Sequence, residues 1–179
     1  NEESKMKLDY FIEKKLIPYI FIVSSNPILF HDLLEANRQL KDRLTPNSGA
    51  LGYKIKLKNL YISFLTLIHL FFIIPGVALF HKPLAKLDCH LSIILAVVIT
   101  GAIFIGFTAF RELLVERISA LRVEEGWRLH FPLFDYEVYS QKVADIYTKA
   151  VKKKVSRGEL EFYIMGELAK DGDEGKKPL

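Results

Sequence analysis

Two stretches of the chain hold no Lys, Arg, Asp or Glu: Asn59–His81, reading NLYISFLTLIHLFFIIPGVALFH, and Cys89–Phe110, reading CHLSIILAVVITGAIFIGFTAF. At about 1.5 Å per residue each reaches roughly 33–35 Å as a helix, and a hydrocarbon core is about 30 Å thick. Backbone groups in lipid must be satisfied within the segment, so the expected form is α-helix. The short link Lys82–Asp88 predicts that the two helices are antiparallel neighbours. A hairpin buried in a soluble core is the alternative, but the rest of the chain has too little polar material to wrap two helices that are apolar all round.

The flanks show helical periodicity of the ordinary kind. Leu16–Phe30 is apolar but interrupted by Pro18, Ser24–Ser25–Asn26 and Pro27. It is too short to span and reads as interfacial, re-entrant or covered by a partner. Ser25 or Asn26 as cap and Pro27 at the first position predict an amphipathic helix of about 17 residues, with Leu33, Leu34 and Leu40 on its apolar face. Thr45–Gly52 has loop composition. Beyond the second span, Leu114, Ile118 and Leu121 keep a helical stripe, and Gly126 is the expected stop. Tyr139, Val143, Ile146 and Ala150 predict another helix ending in Lys152, Lys153 and Lys154. Ser156 and Glu159 stand at capping-box spacing for a last helix carrying Leu160, Tyr163, Ile164 and Leu168. No strand pattern stands out.

The expected class is therefore an all-α membrane protein: a two-span antiparallel transmembrane helical hairpin, amphipathic N-terminal helices and a small C-terminal helical hairpin. The expected segments are residues 1–58 (amphipathic N-terminal region), 59–125 (hairpin with an extended second helix), 126–170 (C-terminal helical hairpin) and 171–179 (polar tail). Composition sharpens this. The chain is 50% apolar yet 26% charged, and the two kinds of residue are segregated. One cysteine, Cys89, excludes a disulfide-built scaffold. Arg38, Lys41, Arg43, Lys54, Lys56 and Lys58 precede the first span, Arg111, Arg117, Arg122 and Arg128 follow the second, and only Lys82 and Lys86 lie between. The positive-inside bias then expects both termini on the cytoplasmic or matrix side, in a mitochondrial or bacterial inner membrane, with anionic headgroups at the basic flanks. The start Asn1–Glu2–Glu3–Ser4 has the wrong charge for a secretory signal.

Candidate chemistry is sparse. His69 falls at the middle of the first span, and Thr100 of the second falls at nearly the same depth. With Ser63 and Thr66 they form a transmembrane polar stripe, expected to face protein. One reading is a proton relay or pore lining; the other is a neutral histidine hydrogen-bonded to a neighbouring helix. Gly76, Ala102, Gly106 and Ala109 are candidates for close helix packing. Trp127, Phe131, Phe134, Tyr136 and Tyr139, beside Arg128, are candidate partner-interface residues, or else the core of the C-terminal hairpin. His81, Asp88, Cys89 and His90 are metal-ligating types at a spacing that matches no strong metal motif, and Asp171–Gly172–Asp173 lacks the later positions of a calcium loop. There is no phosphate-binding glycine loop and no catalytic motif, so no cofactor, no metal and no enzymatic activity are expected. Nucleic acid is not an expected partner either, since the Lys149–Lys154 run reads as a solvated helix end. The functional expectation is a non-catalytic subunit that scaffolds or stabilises a larger membrane complex, energy-coupling membranes being the natural setting. A homo-oligomeric pore built from packed hairpins is the alternative.

Overall fold

The computed structural model describes residues 2–84 and 88–174; the centre of the expected link and the end of the expected tail lie outside these, as do the side chains of His81, Cys89 and Asp171–Gly172–Asp173. The described residues are mostly helical. In chain order they form α1 (Glu2–Phe11), a π-helical turn (Ile12–Leu16), α2 (Ile17–Ile20), β1 (Phe21–Val23), α3 (Phe30–Lys41), β2 (Tyr53–Ile55), α4 (Leu57–Ile68), a second π-helical turn (His69–Ile73), α5 (Ile74–Leu84), α6 (Cys89–His130), α7 (Tyr136–Lys152) and α8 (Leu160–Glu174). Two helical stretches, Leu57–Phe80 and His90–His130, are long and apolar enough to cross a membrane. The short strands β1 and β2, which the side-chain pattern did not announce, pair with each other.

The chain forms two compact units interleaved in sequence, one of Asn1–Ile22 with Ile55–Val115 and one of Val23–Lys54 with Glu116–Leu179. In the first unit both π turns stand two residues before a proline, Pro18 and Pro75. Proline has no N–H and its ring crowds the carbonyl one turn back. Widening that turn, with Ile17 N–H donating to Ile12 O and Ile74 N–H to His69 O, relieves the crowding, and α4 continues through Pro75 into α5 without a break. The last carbonyls of α2 would be orphans. The Lys56 ammonium donates to Pro18 O at 3.3 Å and the Asn59 amide to Tyr19 O at 2.7 Å, so α2 is capped from the start of α4.

The second unit has an ordinary soluble-type core. Helix α3 packs against α7, and α7 against α8. Leu33, Leu34, Val123, Trp127, Phe131, Val143, Ala150 and Ile164 are buried there. Helix α3 starts three residues later than its sequence signals suggest. Ser24 Oγ accepts from Asn26 N–H in a tight local turn, and Ile28 O accepts from His130 Nε2 at 2.8 Å, which holds that segment extended. It ends at Lys41 because Arg43 turns left-handed (φ 57°), with Leu44 N–H donating to Gln39 O and Arg43 N–H to Leu40 O. Lys154 (φ 57°) ends α7 the same way, a geometry more often given to glycine. Helix α8 opens at Leu160, while the Ser156 hydroxyl is engaged by the Glu159 carboxylate at 2.8 Å.

Gly126 does not stop α6, which runs on to His130 and ends before Pro132. Its lack of a side chain serves packing: a Cβ there would lie 3.2 Å from Leu33 Cδ1 and 3.3 Å from Ile28 Cδ1. Gly166 in α8 is the opposite case, with no atom of the described residues packed within 4 Å of a Cβ. Gly166→Ala is expected to stabilise the second unit by about 0.5–1 kcal/mol through helix propensity. Gly126→Val is expected to destabilise it by roughly 1–3 kcal/mol through overpacking. Urea midpoints followed by circular dichroism check both signs.

Candidate functional site

The two apolar helices display their side chains. Leu70, Phe72, Leu79, Phe104 and Ile105 are 56%, 73%, 74%, 69% and 74% exposed. Within the first unit the helices touch near the end where α4 begins: Tyr61 stacks on Phe107 with centroids 4.5 Å apart, and Phe64 meets Phe107 and Phe110 at 5.3 and 5.6 Å. A Cβ on Gly106 would lie 3.7 Å from Phe64 Cζ, whereas one on Gly76 would meet nothing within 4 Å among the described residues. Between the helices lies an open, almost wholly apolar cleft of roughly 1230 Å3, whose walls include Phe71, Phe72, Val77, Phe80, Leu95 and Ile99. Of the small residues singled out for close packing, Gly76, Ala102 and Gly106 line this cleft; Ala109 is exposed and does not.

The polar stripe is not gathered into one site. Ser63 is buried, whereas Thr66, His69 and Thr100 are exposed, and none of the four lines the cleft. Thr100 Oγ donates to Ala96 O at 2.8 Å, a bond within its own helix. His69 opens the second π turn, and its Nδ1 lies 2.7 Å from Leu65 O.

The aromatic stretch forms a core cluster of the second unit. Trp127 and Phe131 are buried, as the reading of this stretch as a hairpin core expects. Their rings stack at 4.4 Å, Tyr136 meets Trp127 edge-on at 5.3 Å, and Phe134 meets Tyr139 at 5.1 Å. Trp127 Nε1–H donates to Phe134 O at 2.7 Å, closing the turn after Pro132. Phe134, Tyr136 and Tyr139 remain half-buried. Beside them is a cleft of about 560 Å3 whose rim carries Glu124, Arg128, Asp135 and Glu137. Asp135 caps α7 by accepting from Glu137 N–H.

A polar network between α3 and α7 had no sequence signal beyond an i, i+3 charge spacing. Arg38 and Gln39 donate to Glu35 at 2.6 and 2.7 Å, and the Tyr147 hydroxyl stands 3.4 Å from His31 Nε2. The Arg38 hydrogen bond holds Glu35 below the usual carboxylate range, against the opposing pull of partial burial. Burial, followed by the Glu35 charge, pushes Tyr147 up to about 12 from 10.0. The folded chain thus keeps a proton that the unfolded chain releases above about pH 10, so this contribution to stability is intact below that pH and lost as pH rises through 12. Tyr147→Phe is expected to flatten that part of the alkaline limb, read as the wild-type minus variant difference in urea stability at pH 9 and 11.5.

Among the described residues no three His, Cys, Asp or Glu side chains stand together as a metal site. Comparisons of the chain with known protein families, with curated proteins and with solved structures find no match.

Proposed function

We propose that this protein is a non-catalytic integral-membrane subunit. Its two apolar helices anchor it as a hairpin, and its second unit serves as a docking body for other subunits of a larger membrane complex. The observation that carries the reading is the mostly apolar, exposed surface of both helices, each long and apolar enough to cross a bilayer. Water does not tolerate so large an apolar surface, and lipid or a partner must cover it. The docking role draws on exposed large apolar residues of the second unit, with Leu133, Val138 and Phe162 at 89%, 67% and 83% exposure. Basic residues at the outer ends of both helices favour placing the two termini on the same, cytoplasmic or matrix, face of an inner membrane.

The test is purification from native membranes in mild detergent, with mass identification of everything that co-purifies. Stoichiometric membrane proteins retained with the chain support the reading. A fully folded, monodisperse monomer that retains nothing counts against the subunit role, and recovery from the aqueous fraction counts against the membrane role. Thiol labelling of single cysteines placed near each terminus, in a Cys89→Ser background, reads the topology.

A further inference from the structure

We infer that the chain pairs with a second copy of itself through the Thr66–His69 face of α4, by two reciprocal hydrogen bonds near mid-membrane. The inference rests on the membrane reading above. His69 Nδ1 is 2.7 Å from Leu65 O, and a carbonyl oxygen only accepts, so Nδ1 carries the proton. In the neutral ring Nε2 is then an acceptor, and it has no partner among the described residues. Thr66 stands one turn earlier on the same face, is exposed, and makes no hydrogen bond through its hydroxyl among the described residues. Thr100 and Thr108 differ, since their hydroxyls donate to Ala96 O and Phe104 O of their own helix. An open donor and an open acceptor side by side near mid-depth are costly in hydrocarbon.

The occupant that answers this complementarity of partial charge is the same face of another copy. Side chains on a helix lean toward its N-terminus, which brings the His69 ring back toward the level of Thr66. Two copies inserted in the same direction about a two-fold axis along the membrane normal then place each Thr66 hydroxyl opposite the other copy's His69 Nε2. A two-fold contact repeats the bond without any further residue. Ile62 and Leu65, 42% and 47% exposed, supply apolar contact on the same side. The apolar cleft toward α6 lies on another side of the helix and is left open.

The experiment uses the full chain in liposomes, first shown to resist alkaline extraction. In a Cys89→Ser background, Ile62→Cys should form a disulfide-linked dimer on oxidation, and Phe71→Cys, inside the cleft, should not. Dimer fraction measured against lipid dilution should shift by about tenfold toward monomer in His69→Leu and in Thr66→Val. His69→Gln, whose amide oxygen can accept, should recover most of the loss. An unchanged dimer fraction in His69→Leu, a wild-type monomer in liposomes, or Ile62→Cys linking to a different protein in native membranes overturns the pairing and leaves the membrane reading standing. Failure to resist extraction overturns both.

Discussion

Phe131→Ala is expected to lower the stability of the second unit by about 3–5 kcal/mol, the range for emptying a buried aromatic site. Phe131 is 1% exposed, and its ring lies 4.4 Å from Trp127, 5.5 Å from Phe30 and 6.5 Å from Phe134. It joins the last turn of α6, the first turn of α3 and the loop leading to α7. No one of these segments can move in to fill the cavity without releasing the other two. Domain stabilities are commonly about 5–15 kcal/mol, so the variant should lose a large share of it. Trp127 is the single tryptophan and packs on the mutated site, so its fluorescence in urea reports the change directly. Leu133→Ala, two residues along and 89% exposed, is the control and should shift the midpoint little. A loss below about 1 kcal/mol in Phe131→Ala would mean that the aromatic cluster is a display surface after all.

The second large effect is expected at Arg122, whose side chain is 5% exposed while that of its ion-pair partner Glu125 is 68% exposed. The salt bridge is the lesser part of its role, since a pair with one partner in water contributes little. The guanidinium also donates from Nε to Leu51 O at 2.9 Å and from Nη2 to Asn26 O at 3.5 Å. It thereby pins two loop segments to α6. Beside it Gly52 is left-handed (φ 67°), and a Cβ there would lie 3.3 Å from Ser24 Cβ and 3.4 Å from Arg122 Nη2. Arg122→Ala leaves a buried carbonyl unsatisfied and opens a cavity, for an expected loss of about 2–4 kcal/mol. Arg122→Lys should lose nearly as much, because an ammonium cannot reproduce the planar fork. Glu125→Gln should cost less than about 1 kcal/mol. Limited proteolysis gives an independent readout: the 47–52 loop should become a cleavage site in Arg122→Ala and stay protected in Glu125→Gln.

Helix by helix, the sequence was most legible where one segment carries its own signal. The two apolar stretches are helical over the expected lengths, because a run of that length without a charge admits few other forms. The spacing of Val143, Ile146 and Ala150 placed the buried face of α7, and that of Leu160, Ile164 and Leu168 the buried face of α8. Boundaries were less legible when a distant residue set them. Pro27 looked like a helix start, yet the bond from His130 to Ile28 O delays α3 to Phe30. Gly126 has the residue type of a helix stop, yet it is the seat for Leu33 and Ile28 inside a helix that continues to His130.

Composition and periodicity alone determined that the chain is helical and that two of its helices are long and apolar enough for a bilayer. Only the tertiary structure decided which segments share a core. The bonds from Arg122 to Leu51 O, Tyr53 to Ser119, and Asn37 to Ser140 O close separations of 71, 66 and 103 residues. They bury polar residues whose types, read along the chain, look like surface. The tertiary structure also turned Trp127 and Phe131 inward, and left Thr66 and His69 exposed with a donor and an acceptor unmet among the described residues. The physical reason is the same throughout: an apolar run acts through its own solvation and is local, whereas a buried polar bond or a ring contact exists only where two distant surfaces fit.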